Sequence, residues 1–427
     1  MFASYACRSP EHTIARRQFL GGVAGGVGAA ALGLGAMTRP AAAAELAKQQ
    51  KRIVVFWMAG GLSQLESWDP KPGTRTGGPF RAIPTSVPGV ELCELLPQTA
   101  KQMHHLCLVR GVNTSEDDHG KGAYLMVTGR RESPALDYPR LGAVAAKALA
   151  PENSPLPGHI QITPGGGGGR SNDAAYLGPK FASVVLGGGQ PPQNTSPAVA
   201  AAIDAQRNDF RRKANERFLS RRRTAQTDLY TYSYEQALQL MERRDAFDIS
   251  KEPAKAQEQY GDHDLGRQCL LARRLLEQGV TFIQISHSNY DTHNENFDFH
   301  IEQLGEFDQA YATFIDDLHQ RGMLDSTLVI VMSEFGRTPN INLYYGRDHW
   351  SKAWSVALAG CGVKRGIAYG KTNDQGTEVV DGHVDHGNLF HTYLSAVGLD
   401  STATFDIGGR EMPMADPSSK PIDAVLA

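Results

Sequence analysis

Helical and strand-like apolar patterns alternate in the second half of the chain. Apolar residues recur every three or four positions in 265–279 and again in 299–322, and each segment ends in a glycine. A glycine is a favourable left-handed cap at the end of a helix. The continuous apolar stretches 280–286 and 327–332 follow directly, as expected of strands buried on both faces. This alternation predicts a mostly parallel sheet with helices on both faces, which is an α/β architecture.

Two earlier apolar stretches, 52–58 and 106–110, have the same character and also run into polar segments. Parallel strands deliver their following loops to one edge of the sheet, where open α/β sheets bind ligands. We therefore expect the loops that follow residues 58, 110, 286 and 332 to converge on a single site.

The segment between the two pairs of strands differs in character. The five glycines 165–169 are not followed by the Lys-Ser/Thr pair of a phosphate-binding loop, and they read as a surface loop. From about 200 to 264 the chain is polar and helical, with a capping box at Ser233 and Gln236. We interpret this part as a helical insertion in a larger domain.

Composition narrows the function classes. The chain has 427 residues, of which 41% are hydrophobic and 21% are charged, so it can bury the core of one large α/β domain. A net charge of -3 gives no general attraction to nucleic acid or to a membrane surface. The four cysteines beyond the N-terminal segment lack metal-like spacing, and a Cys93–Cys107 disulfide is disfavoured.

The N-terminus has the pattern of a twin-arginine export signal. Arg16 and Arg17 precede a Gly/Ala-rich stretch that ends in small residues near Ala44. A transmembrane anchor is the weaker interpretation, because the stretch is short of bulky apolar residues. We therefore expect residues 1–44 to be a signal peptide and 45–427 to form the exported domain, located in the periplasm or secreted.

Two of the predicted loops contain groups that bind metals. Asp291 and His293 are two residues apart, so in an extended segment both side chains reach the same side. Glu334, Asp348 and His349 lie in the loop after the last predicted strand. Oxygen and imidazole ligands together suit Zn²⁺ or Mn²⁺ better than the alternatives Mg²⁺ and Ca²⁺. The sequence thus predicts a divalent metal site at the sheet edge.

The loop after 106–110 contains hydroxyl groups. Thr114 and Ser115 precede a predicted helix, where a hydroxyl could act as an activated nucleophile near an anion-binding helix end. The alternative is that one of them caps the helix.

Several longer motifs connect the chain to a known family. In order, they are MAGGLSQLESWDPKP, HGKGAYLMVTGR, CLLARRLLEQGVTFIQI, DTHNENF, SEFGRTPNIN and GRDHW. Together they resemble the family known as domain of unknown function 1501, over nearly the whole chain after the signal. Such proteins are commonly exported and are grouped with alkaline phosphatases and sulfatases. The resemblance therefore implies an alkaline-phosphatase-like three-layer α/β/α sandwich, but no particular reaction.

The resemblance also implies roles for individual residues. Asp291 and His293 match the metal pair after a central strand, and His349 matches a late histidine ligand. The first strand of the superfamily normally ends in a metal-binding Asp, which is lacking here and could be replaced by Ser63, Glu66 or Asp69; of these we select Asp69. The Cys/Ser-x-Pro-x-Arg motif of formylglycine sulfatases does not occur.

These observations favour an exported, metal-dependent hydrolase of phosphate or sulfate esters. Thr114 or Ser115 would supply the hydroxyl, and Arg337 and Arg347 would neutralise the developing charge. The alternative is a non-catalytic periplasmic protein that uses the same edge to bind a glycan or a co-exported protein partner. In both cases the expected ligand is an anionic ester or a glycan, and neither nucleic acid nor a stable membrane span is expected.

Export can be tested through the arginine pair. Changing Arg16 and Arg17 to Lys should leave the precursor in the cytoplasm, because the twin-arginine route requires both guanidinium groups. Fractionation followed by immunoblotting measures the processed form. Unchanged delivery of processed protein through a route for unfolded chains would contradict this prediction.

Overall fold

The computed structural model describes residues 51–152, 154, 156–164, 172–187, 198–219 and 235–427. The predicted signal peptide, the five glycines 165–169 and Ser233 of the predicted capping box lie outside these residues.

The strands follow the apolar stretches of the sequence. In chain order they are β1 (Arg52–Met58), β2 (Ala82–Pro84), β3 (Glu91–Cys93), β4 (Leu106–Val112), β5 (His159–Ile162), β6 (Val184–Leu186), β7 (Phe282–His287), β8 (Thr327–Met332), β9 (Gly336–Arg337), β10 (His349–Trp350), β11 (Trp354–Gly360), β12 (Ile367–Tyr369), β13 (Lys371–Thr372), β14 (Val379–Asp381), β15 (Thr404–Ile407) and β16 (Arg410–Pro413).

Eight of these strands form one central sheet in the order β12-β4-β11-β8-β1-β7-β5-β6. β1 pairs in parallel with both β7 and β8, and the pairs β5/β7, β5/β6 and β4/β12 are also parallel. β11 pairs antiparallel with β4 and β8, so it alone runs against the others in this sheet. The predicted mostly parallel α/β sheet is therefore confirmed, with β1 separating β7 from β8.

Helices cover both faces of the sheet. They are α1 (Pro97–Lys101), α2 (His119–Thr128), α3 (Leu141–Leu149), α4 (Ala201–Leu219), α5 (Ala254–Tyr260), α6 (Asp264–Glu277), α7 (Asn296–Gln320) and α8 (His386–Ala396). Alternate residues of a strand point to opposite faces. Val54 and Phe56 of β1 accordingly join a core with α1, α5, α6 and α7, whereas Ile53 and Val55 join a core with α2, α3 and α8. This is the predicted three-layer arrangement.

The segment predicted to be a helical insertion contains α4, α5 and short turns, and it connects β6 to α6. The segments that connect the elements of the central sheet contain four small two-stranded sheets, β2/β3, β9/β10, β13/β14 and β15/β16. Cys93, Cys107, Cys269 and Cys361 are buried and free, so the disfavoured disulfide is not formed. None of the helices in the described residues has the length and apolar character required to cross a bilayer.

Candidate metal centre

The loops that follow β1, β4, β7 and β8 meet at the carboxyl edge of the sheet, as predicted. The β1 loop approaches the β7 loop so closely that Gly60, at φ +115°, has no room for a side chain. A Cβ there would lie 2.4 Å from the backbone nitrogen of Asp291. Only glycine adopts this conformation without cost, so the sequence Gly-Gly after β1 is what lets the two loops touch.

Asp291 is the point at which the loops converge. Its Oδ1 accepts a hydrogen bond from Nη2 of Arg337 at 2.6 Å and lies 3.2 Å from Nε2 of both His293 and His349. Its Oδ2 lies 3.4 Å from Nε2 of His119. Burial alone would raise the pKa of Asp291, but the neighbouring basic groups, first among them the hydrogen bond and charge of Arg337, together lower it to about 2. The group is therefore a carboxylate at any physiological pH.

The three imidazoles are oriented by their other ring nitrogens. Nδ1 of His349 lies 2.7 Å from the carbonyl oxygen of Asp117, and Nδ1 of His293 lies 2.7 Å from Oδ1 of Asp348. Both partners can only accept, so both Nδ1 atoms carry the hydrogen. In the neutral tautomer, each Nε2 then presents a lone pair towards Asp291.

His119 follows the same rule. Its Nδ1 lies 2.8 Å from Oε1 of Glu334, and its Nε2 faces Asp291. A histidine that donates one ring N–H to a carboxylate or carbonyl and directs the other nitrogen inward has the arrangement typical of a metal ligand.

The spacing of these atoms fits one metal ion. Nε2 of His293 and Nε2 of His349 are only 3.0 Å apart, which brings two lone pairs together unless a proton or a cation lies between them. For Zn–N bonds of about 2.0–2.1 Å, two ligands of a tetrahedral ion are separated by about 3.3 Å. The ligand atoms of His119, Asp291 and His349 all lie within 4.8 Å of one another. These three residues, joined by His293, could therefore hold a divalent metal.

Glu334 and Asp348, predicted as ligands, lie one layer further out. Oε1 of Glu334 accepts from the backbone N–H of Gly60 at 2.9 Å as well as from His119, and Oε2 accepts from Ser333 Oγ at 3.0 Å. Oδ1 of Asp348 accepts from His293. In this arrangement the two carboxylates orient imidazoles.

Phe335 closes the back of the cluster. Its ring centroid lies 4.4 Å from that of His349 and 4.9 Å from that of His119, and the residue is fully buried. The ring fixes the planes of both imidazoles and keeps solvent away from their inner side.

Arg337 and Arg347, predicted to act on substrate charge, are fully buried and have protein partners. Besides Asp291, the Arg337 guanidinium donates to the carbonyl oxygens of Gly60, Gly61 and Arg347. Most N–H donors of the Arg337 guanidinium are therefore already used by the protein and not open to a substrate. Its role here is to fix Asp291 and the β1 loop.

The Arg347 guanidinium pairs with the carboxylate of Glu66, the shortest contact being 2.7 Å, and also donates to the carbonyl oxygens of Thr76, Thr338 and Pro339. Burial would raise the pKa of Glu66, but the charges of Arg347 and His300 and the hydrogen bonds to the carboxylate together lower it. This is a structural ion pair that joins the β1 and β8 loops, which differs from the predicted role.

The candidate replacements for a metal-binding Asp after β1 also have other partners. Asp69, the one selected, is buried beside Lys71 at 3.0 Å and Arg110 at 3.7 Å and accepts from Thr372. The backbone N–H of Ser63 donates to His300 at 3.3 Å. The β1 loop contributes backbone groups to the Asp291 cluster, and no side chain of these candidates contacts it.

Neither predicted hydroxyl caps α2. That role belongs to Asp118, whose side chain accepts from the backbone N–H of Lys121. Thr114 is buried and its Oγ1 has no hydrogen-bond partner. Ser115 is exposed, adopts φ +51° and donates from Oγ to Oδ1 of Asn113 at 2.9 Å. Of the two, only Ser115 is accessible to a substrate.

His119 was not among the predicted ligands. It is the first residue of α2, in the very loop that was expected to reach the sheet edge. The signal available was a histidine four residues after Ser115, in a loop already assigned to the site.

Comparisons with known proteins agree with the resemblance found in the sequence. The family model described as "Protein of unknown function (DUF1501)" matches residues 50–426. No curated protein matches the sequence.

Similar solved structures include three bacterial proteins. A protein in the alkaline phosphatase superfamily from Vibrio parahaemolyticus has 13% identity and a TM-score of 0.32, with 82% of this chain and 66% of that one covered. A sulfatase from Pseudoalteromonas sp. has 12% identity and a TM-score of 0.39, with 91% and 76% covered. The alkaline phosphatase from the Antarctic bacterium TAB5 has 13% identity and a TM-score of 0.35, with 82% and 98% covered. The chain thus spans just under two thirds of the Vibrio protein, and at these TM-scores the similarities carry no argument about activity.

Metal binding can be tested by removing one ligand at a time. Asp291→Asn and His119→Ala should each lose bound metal, and Asp348→Ala should weaken metal affinity by about 10- to 100-fold because His293 loses its orienting partner. Elemental analysis and competition with a chelating dye measure this. Asp298→Asn, an exposed carboxylate of α7, is the matched control. Wild-type metal content in the first two variants would contradict the assignment.

The structural role of Arg347 predicts a stability effect. Arg347→Met leaves the Glu66 carboxylate buried and unpaired, so the free energy of unfolding should fall by about 3–5 kcal/mol. The matched control is Arg81→Met, which removes an exposed ion pair with Glu94 and should cost about 1 kcal/mol or less. Urea titration followed by circular dichroism measures both. A stable Arg347→Met protein that had lost only turnover would instead support contact with substrate.

Proposed function

Since the chain belongs to the DUF1501 family of proteins of unknown function, we propose its activity from the site: metal-dependent hydrolysis of phosphate or sulfate esters. The observation that carries this proposal is the convergence of three Nε2 atoms, from His119, His293 and His349, on the Asp291 carboxylate. Each opposite ring nitrogen is held by an acceptor. This donor set is rich in imidazole, which favours Zn²⁺ or Mn²⁺ over Mg²⁺ or Ca²⁺.

A bound divalent ion would supply Lewis acidity to an ester oxygen and lower the pKa of water. The chain's own groups keep the ligands ready for it. Arg337 holds Asp291 as a carboxylate, and Glu334 and Asp348 hold two imidazoles in the tautomer with an inward lone pair. Such preorganisation avoids the cost of rearranging dipoles during the reaction.

We assign the nucleophilic hydroxyl to Ser115. It is exposed at the start of the loop that continues through Asp117 to His119, and Asn113 orients its Oγ. A non-glycine residue at φ +51° stores strain that is retained mainly where function requires the conformation.

A binding protein is the second candidate, and a specific observation favours it. Both arginines that were expected to neutralise substrate charge are saturated by protein groups. Because these two guanidinium groups already have protein partners, they add little stabilisation to the charge that develops during hydrolysis, which favours binding of an anionic ester without turnover.

We further propose, from the Arg16-Arg17 pattern, that the protein acts in the periplasm or outside the cell.

A measurement of ester hydrolysis distinguishes the hydrolase from the binding protein. Purified wild-type protein, incubated in turn with Zn²⁺, Mn²⁺, Mg²⁺ and Ca²⁺, should hydrolyse aryl phosphates or aryl sulfates. Ser115→Ala should lower the rate by at least about 100-fold at unchanged metal content, because the attacking hydroxyl is lost.

The control for this experiment is Thr114→Val, which removes a hydroxyl that has no partner and should retain activity. Wild-type protein that binds metal but hydrolyses no ester in the panel would favour the binding protein. Full activity in Ser115→Ala would show that water attacks directly.

A further inference from the structure

Three consecutive apolar side chains stand in solvent beside the metal centre. Leu343, Tyr344 and Tyr345 are 95%, 69% and 73% exposed. Elsewhere in the described part of the chain, the large exposed apolar residues are separated along the sequence. A run of exposed apolar residues is a liability for a soluble protein unless it has a function. We call these three residues the aromatic platform.

The platform is rigidly held by one asparagine. Oδ1 of Asn342 accepts from the backbone N–H groups of Tyr344 and Gly346 at 2.9 and 3.0 Å. The backbone N–H of Asn342 donates to the carbonyl oxygen of Gly346 at 2.9 Å, and that of Tyr345 donates to Asn342 at 3.2 Å. The loop is therefore a closed turn with a well-fixed backbone, from which the three side chains project.

A second set of contacts fastens the closed turn to the beginning of α7. The backbone N–H groups of Glu295 and Asn296 donate to the carbonyl oxygens of Tyr344 and Tyr345, both at 3.0 Å. Tyr345 and Glu295 both adopt left-handed backbone, at φ +55° and +51°. Left-handed conformations cost free energy in residues other than glycine, and such strain clusters at ligand sites.

The platform adjoins the metal centre through the same asparagine. Nδ2 of Asn342 donates to the carbonyl oxygen of His293 at 2.9 Å and lies 3.3 Å from Oδ1 of Asp348. A Cβ on Gly346 would lie 1.8 Å from the carbonyl oxygen of His293. A molecule with its ester group at the metal would therefore have its remaining part within reach of the platform.

We propose that Leu343, Tyr344 and Tyr345 form a subsite for the saccharide portion of the substrate, which makes the substrate a phosphate or sulfate ester of a glycan. This inference rests on the proposed function, because it places the ester at the neighbouring metal centre. The inference adds to that function by naming the alcohol part of the ester, which is a saccharide.

The chemistry of the platform selects a sugar ring. A tyrosine ring is a flat apolar surface with a polar end, and the face of a pyranose presents C–H groups bordered by hydroxyls. The exposed residue Asn340 lies shortly before the platform in sequence, and the exposed residue Asn294 forms an isolated β-bridge with Tyr345. Both offer amides to such hydroxyls. Pockets for small ligands combine apolar surface with a few polar groups in this way.

The size of the platform argues against a protein partner. Stable protein interfaces bury about 800 Å² on each side, which three side chains do not provide. One or two sugar rings match the platform far better.

An array of oligosaccharides built from galactose, glucose, fucose and glucuronate, each with and without sulfate, tests the proposal. Wild-type protein should bind a subset, and calorimetry with the best ligand should show affinity reduced about 10-fold or more in Tyr344→Ala and in Tyr345→Gly. Phe210→Ala, which removes an exposed ring from α4, is the matched control and should bind as wild type does.

Tyr345→Gly also separates recognition from structure. Glycine accepts φ +55° without strain, so the melting temperature should be unchanged or higher while saccharide affinity falls. Equal affinity in wild type and both tyrosine variants, or a wild-type protein that binds no member of the array, would overturn the proposal.

Metal content distinguishes this inference from the proposed function. The tyrosine variants should keep wild-type metal, whereas Asp291→Asn should lose metal and still bind the unsulfated form of the ligand. Wild-type protein that binds saccharide through the tyrosines but hydrolyses no ester would refute the hydrolase alone. Ester hydrolysis by wild-type protein whose saccharide affinity does not depend on the tyrosines would refute the platform alone.

Discussion

The ionised carboxylate of Asp291 is the constraint on which the arrangement of this edge depends. Arg337 donates to this carboxylate, and three imidazoles from three different loops face it with their Nε2 atoms. A buried guanidinium that faces a low-pKa carboxylate fixes one negative charge at the centre. The acceptors at the opposite ring nitrogens, from Glu334, Asp348 and the carbonyl group of Asp117, then set the tautomers of the three histidines around that charge.

The guanidinium groups of two buried arginines stabilise the loops of the site, which lack the hydrogen bonds of helices and sheets. Loops carry backbone carbonyl groups that become costly when they are buried without partners. Arg337 and Arg347 together satisfy six such carbonyl oxygens from the loops after β1 and β8 and from the segment 338–347. Arginine suits this purpose because its charge persists and its donors have a fixed planar geometry. Arg337 and Arg347, which the sequence analysis assigned to substrate charge, instead hold the loops of the site together through buried hydrogen bonds.

Most of the scaffold could be predicted from the sequence, since strand burial and helix periodicity are local properties. β1 and β8 agree with the predicted residues, and the four loops do converge. Asp291, His293 and His349, which were predicted to share one metal, do lie in contact with one another. What could not be predicted is the layer in which each polar side chain lies. Glu334 contacts the His119 imidazole, and His119 faces Asp291, because of tertiary contacts between loops more than 200 residues apart. Residue type alone does not distinguish a ligand from the group that orients it.

The reversed strand β11 has a consequence for how this protein family can diversify. Because β11 runs antiparallel to its neighbour β8, the chain leaves the sheet at residue 332 and re-enters it at residue 354 on the same edge, without a helical crossover. Residues 333–353 thus form a long loop that starts and ends at one edge of the sheet, and its tip contains Leu343, Tyr344 and Tyr345. The internal contacts of this loop use backbone groups and the two arginines, so the exposed side chains at its tip can change at little cost to the sheet. Homologues could have other side chains at this tip while they retain His349 in the same loop.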